Sequence, residues 1–89
     1  MIASEPKMST LTGRVFMTED GMTTRNGDPF RVITIATHDD VVQVSDFYRS
    51  KPLPEDGMNI KMLVREQMVK ADADAPARLY RKNVSWQEV

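Results

Sequence analysis

The stretch from Thr24 to Thr37, TRNGDPFRVITIAT, sets a cation in a turn and an aromatic ring at the mouth of a strand. A hairpin that only joins two strands needs no more than polar turn residues. A surface that holds a chain of bases needs cations for phosphates and flat faces for bases, each stacked base contributing about 1–3 kcal/mol. The candidates for such a surface are Arg25, Phe30, Gln43, Phe47, Arg49, Lys70 and Arg78. Strand alternation puts Phe30 and Phe47 on one face; Arg49 continues it, and Gln43 lies between with hydrogen-bonding capacity. Arg25 sits in the loop above, and Lys70 and Arg78 flank the polar loop ADADA. Other uses of the same residues stay open. Phe30, after Pro29, is placed to plug the end of a barrel, and Phe47 to pack on a partner subunit. Arg31 shares the Ile33 side and is expected to emerge at the strand end. Tyr80 and Trp86 read as core or interface before stacking platforms, with a ligand-facing role left open, and the methionines as core filler.

Other chemistries lack their residues. There is no cysteine, which removes disulfides and thiolate metal sites. His38 is the only histidine, and with Asp39 and Asp40 it reads as a polar hairpin turn. No nucleophile–base arrangement or phosphate-binding glycine loop is present, so neither an enzyme nor a cofactor is expected. Twelve Lys and Arg nearly balance thirteen Asp and Glu, for a net charge of −1. That is not the basic balance typical of a nucleic-acid binder, and binding would depend on where the cations are placed. No apolar run is long enough for a membrane span, and MIASEPKMST lacks the basic-then-apolar order of a signal peptide. The expected location is cytoplasmic.

The elements that must position these residues are strands. STLTGRVFMT places Leu11, Gly13, Val15 and Met17 on one face and Thr12, Arg14 and Phe16 on the other. Gly13 marks a bend of the kind a barrel corner needs. EDGMTTRNGD reads as a long polar loop, PFRVITIATH as a second strand, and VVQVSDFYRS as a third after a tight turn at Asp39-Asp40. The prolines of KPLPEDG break regular structure. Ile60, Met62 and Val64 alternate as in a strand, while Ile60, Leu63, Val64 and Met68 also fit a helical stripe. Strand is expected, because the flanking strands need a partner. LYRKNVSWQEV closes the set. Five strands with little or no helix, and long loops between strands one and two and four and five, outline an OB-fold, a partly open barrel; SH3-like barrels share much of that outline. Residues 1–8 are expected as a flexible lead-in and 9–89 as a single domain. Open edges and a small core predict a homodimer or higher homo-oligomer, with Phe16, Val41 and the last strand offering apolar surface.

LTGRVFMTEDGMTTRNGDPFRVITIAT resembles the N-terminal half of the bacterial single-stranded DNA-binding protein family. The shared features are Leu11-Thr12-Gly13-Arg14-Val15, the turn Asn26-Gly27 and the strand Ile33-Thr34-Ile35-Ala36-Thr37. The primosomal replication protein of the same fold has a similar glycine spacing, and filamentous-phage single-strand binders a similar Gly-x-Pro-aromatic turn. Val41 stands where the family's third strand opens with Trp, Phe47 keeps the later aromatic, and SKPLPEDG is too short and Pro-rich for the family's helix. The resemblance implies an OB-fold of phage, plasmid or primosomal type. It would bind single-stranded DNA, with RNA as the other acceptable polymer, through stacking and Lys/Arg–phosphate contacts in replication, recombination or repair. Replication proteins are the implied further partners. The alternative is an OB module that serves as a scaffold or assembly subunit and binds no nucleic acid.

Overall fold

The computed structural model describes residues 1–48 and 51–89. Among them the protein is all-β with no helix. The strands are β1 Ile2–Ala3, β2 Lys7–Thr23, β3 Pro29–Ala36, β4 Val41–Asp46, β5 Asn59–Lys70 and β6 Arg78–Glu88. β5 pairs with β2, β2 with β3, β3 with β4, β4 with β6, and β6 returns to β5, so five strands form a ring. Every ladder is antiparallel except β4–β6, a single parallel bridge between Ser45 and Lys82.

β1 is in effect the start of β2. Ala3 lies opposite Val69 and Lys7 opposite Glu66, while β6 occupies the other edge of β5. Residues 4–6 bulge between them and Ser4 closes the gap. Its N–H donates to the Met68 carbonyl (2.9 Å), and its hydroxyl accepts from the Met68 N–H (3.0 Å). The segment expected as a lead-in over residues 1–8 is therefore placed against β5.

β2 changes partner in mid-strand. Lys7 to Arg14 pair with β5, and pairing with β3 begins at Arg14, opposite Ala36. Gly13 occupies this corner because a Cβ there would lie 2.4 Å from the Ala36 carbonyl oxygen and 2.7 Å from Ile35 Cγ2. The long loop expected after the first strand is absent. β2 runs on to Thr23, and residues 24–28 make the turn, with Thr24 N–H donating to Asp28 O (2.8 Å) and Gly27 N–H to Thr24 O (2.9 Å). Two register shifts carry the strand that far, one skipping Phe16 and one between Glu19 and Met22. Each adds residues to one side of the ladder and sharpens its twist. The first moves Met17 off the face of Leu11 and Val15: Met17 faces Thr34, and Phe16 is left 67% exposed.

The core follows from period-two alternation. Val15, Ile33, Ile35, Val42, Val44, Ile60, Met62 and Val64 are buried, with Leu11, Leu53, Met58 and Trp86 packed against them. Segment 59–70 is a strand because β2 and β6 both flank it, burying Ile60, Met62 and Val64 and leaving Lys61, Leu63 and Arg65 exposed. The β5–β6 connection, residues 71–77, is the polar loop read from the sequence.

Gly13→Ala must push a backbone carbonyl, which cannot rotate away, so it should cost about 1–3 kcal/mol or slightly more. Gly27, at φ 86° with open space around it, should cost about 1–2 kcal/mol as Ala, through backbone strain alone. Urea denaturation of the two variants measures both. Equal stability of Gly13→Ala and wild type would refute the corner contact.

Candidate nucleic-acid interface

The site is built on an ion pair that sequence reading missed. Arg31 was expected simply to emerge at the strand end; instead it faces Asp46 across the β3–β4 ladder. Asp46 is 2% exposed. Arg31 Nε donates to Asp46 Oδ2 at 2.8 Å, Arg31 Nη2 reaches the same oxygen, and Asn83 Nδ2 donates to Oδ1 at 3.1 Å. One carboxylate thus ties β3, β4 and β6 together. Arg31 Nη2 also donates to the carbonyls of Tyr48 and of Lys51, the latter at 2.8 Å. Phe47 is held from both sides, by Asp46 before it and Tyr48 after it.

That anchorage presents Phe47 to Phe30. The rings stack with centroids 5.6 Å apart and planes at 29°. Lys82 Nζ lies 5.0 Å from the Phe47 centroid, a cation–π contact, and Lys51 Nζ lies 4.3 Å from that of Tyr48. Register extends the same outer face in rows: Met22 beside Phe30, Glu19 beside Val32 and Ser45, and Met17 beside Thr34 and Gln43.

The β4–β6 ladder stops at Ser45–Lys82, and the strands leave a cleft of about 720 Å³ between them. Phe30, Val32, Gln43 and Ser45 line one side, and Leu79, Tyr80 and Arg81 the other. Tyr80, left open between core, interface and ligand, is half exposed here. Arg81 Nε sits 3.8 Å from Glu66 Oε2, an ion pair longer than a hydrogen bond. The cleft therefore combines flat faces, an amide and a guanidinium, with Lys82 at its closed end. Asp40 adds a carboxylate to its lining.

The structure brings Phe30, Gln43 and Phe47 together. Arg25 is exposed in the turn that leads to Phe30. Lys70 and Arg78 flank the β5–β6 loop and are not among the residues lining the cleft, although Arg78 adjoins Leu79, which is. Arg49 lies outside the described residues. Trp86 packs on the core and donates its Nε1–H to Pro52 O at 3.2 Å. Arg81 and Lys82 escaped sequence reasoning, and Tyr80 was left open between core, interface and ligand, because the β4–β6 contact joins residues far apart in the chain.

Comparison of the chain with protein-family models, curated proteins and solved structures finds no match.

Asp46→Ala should cost about 3–5 kcal/mol, because it leaves a part-buried guanidinium and the Asn83 amide unpaired. Thermal unfolding measures the loss, and near-ultraviolet circular dichroism should show Phe47 and Tyr48 losing their fixed surroundings. A melting temperature at the wild-type value would remove the ion pair as the anchor of the site.

Proposed function

We propose that the chain is an OB-fold module that binds single-stranded nucleic acid, DNA first, with little preference for sequence. The observation that carries this reading is the stacked Phe30–Phe47 pair beside the Gln43-lined cleft, with Lys82 over one ring. Stacking on such rings tolerates any base, because every base has a π-face, and neighbouring cations neutralise the phosphates. The five-strand ring, closed by a short parallel bridge, suits the partly open OB barrel, whose second and third strands form the binding face. The resemblance of Leu11–Thr37 to the bacterial single-stranded DNA-binding family points the same way, toward replication, recombination or repair.

A second reading, a scaffold or assembly subunit without nucleic acid, draws on Glu19 and Asp40. Register puts Glu19 on the same outer face as the rings, and Asp40 lines the cleft, where both repel phosphates.

Fluorescence anisotropy of labelled oligo-dT at low and moderate salt separates the two. Binding that saturates and weakens with salt supports the nucleic-acid reading; no binding at low salt leaves the scaffold. Phe30→Ala and Phe47→Ala should each weaken binding by about 1–3 kcal/mol in protein that remains folded. Arg25→Ala should flatten the log–log salt slope by about 0.7, the value of one lost phosphate contact. Normal affinity in the folded fraction of both Phe variants would place the binding face elsewhere.

A further inference from the structure

Net charge conceals a separation of charges by face. In β2, β5 and β6, register puts Thr10 and Thr12, Lys61 and Arg65, and Lys82 on the outside of the ring. Thr12 faces Lys61, Thr10 faces Leu63, and Arg65 faces Lys82. No acidic residue shares these positions. Of the carboxylates on β5 and β6, Glu66 lies opposite Arg81 on the other face and Glu88 opposite the buried Ile60, while Glu19 and Asp20 belong to the far part of β2, which pairs with β3 and not with β5. Lys61, Arg65 and Lys82 form no ion pair among the described residues. Lys61 also borders a shallow depression of about 300 Å³ with Thr10, Ser85 and Gln87, which supplies hydroxyl and amide donors.

This face is continuous with the cleft. Lys82 touches the Phe47 ring on one side and neighbours Arg65 on the other. Lys61 follows Arg65 four residues along the same strand, about 13 Å away at the rise of an extended chain. We infer that the outer face of β5, β6 and the Lys7–Arg14 part of β2 is a second phosphate-binding track, on which a nucleic-acid strand leaving the Phe30–Phe47 platform continues past Lys82 to Arg65 and Lys61. The inference rests on the nucleic-acid reading above. Charge complementarity supports it, since three unpaired cations without a carboxylate among them suit a polyanion and would hinder the docking of a second copy of the same face.

The test uses the full chain and two lengths of oligo-dT, about 4 and about 16 nucleotides, the two ends of the range for a single OB fold. The variant is Lys61→Thr with Arg65→Thr, which removes both charges and keeps strand propensity; circular dichroism confirms its fold. The longer strand should bind wild type more tightly and with a steeper salt slope. In the double-Thr variant that slope should flatten by about 1.4, two contacts at about 0.7 each, with binding of the short strand unchanged. Lys61→Arg with Arg65→Lys should keep the wild-type slope. If the double-Thr variant binds the long strand as wild type does, or loses the short strand equally, the track is overturned while the cleft reading stands. If wild type binds neither length, both fall.

Discussion

The arrangement of the outer aromatic face depends on the Arg31–Asp46 pair, in which a part-buried guanidinium meets a buried carboxylate. Taking a carboxylate out of water is costly, and a buried ion pair often adds little net stability. What it fixes is position. β4 meets β6 through a single bridge, Ser45–Lys82, and the carboxylate of Asp46 adds the Asn83 amide of β6 beside it. The same guanidinium holds the backbone at Tyr48 and Lys51, so Phe47 leaves β4 along a set path and reaches Phe30. Remove the pair, and the ring loses much of its closure at the point where the aromatic face begins.

A second constraint is that one strand serves two partners. From Ile2 to Thr23 the chain runs along β5 and then β3, turning at Gly13 where no Cβ fits. The core beneath is small, so closure must come from backbone ladders as much as from apolar burial. The register shifts at Phe16 and after Glu19 reconcile the two demands. They bend β2 far enough to keep Val15 inward at one end and bring Met22 beside Phe30 at the other.

What the sequence revealed was what period-two alternation and turn chemistry encode. Ile33–Ile35, Val42–Val44 and Ile60–Met62–Val64 alternate, and they are buried. Asn26-Gly27 marked a turn, and the turn is there. Counting residues along two strands put Phe30 and Phe47 on one face, and the rings do stack. The length of β2 was hidden, because Glu19 to Thr23 have turn-like composition and only pairing with β3 keeps them extended. Asp46 was hidden too: an acid at a strand end reads as solvated until a cation fifteen residues away is brought against it. Tyr80, Arg81 and Lys82 reach the cleft through the ring closure, which no local pattern records.

Overall charge says nothing about how charges are distributed over the faces of the strands. A sum of −1 describes the chain at long range, but a phosphate responds to charges within about a Debye length, about 10 Å at 0.1 M salt. Strand alternation sorts charges at a finer scale than that. In β5, Lys61 and Arg65 point out of the ring while Glu66, the next residue, points to the other side and meets Arg81. Adjacent opposite charges that cancel in the sequence are thereby separated onto two faces. A strand whose charges partly cancel on paper can present a wholly cationic surface, provided its register is held; here β2 on one edge of β5 and β6 on the other hold it.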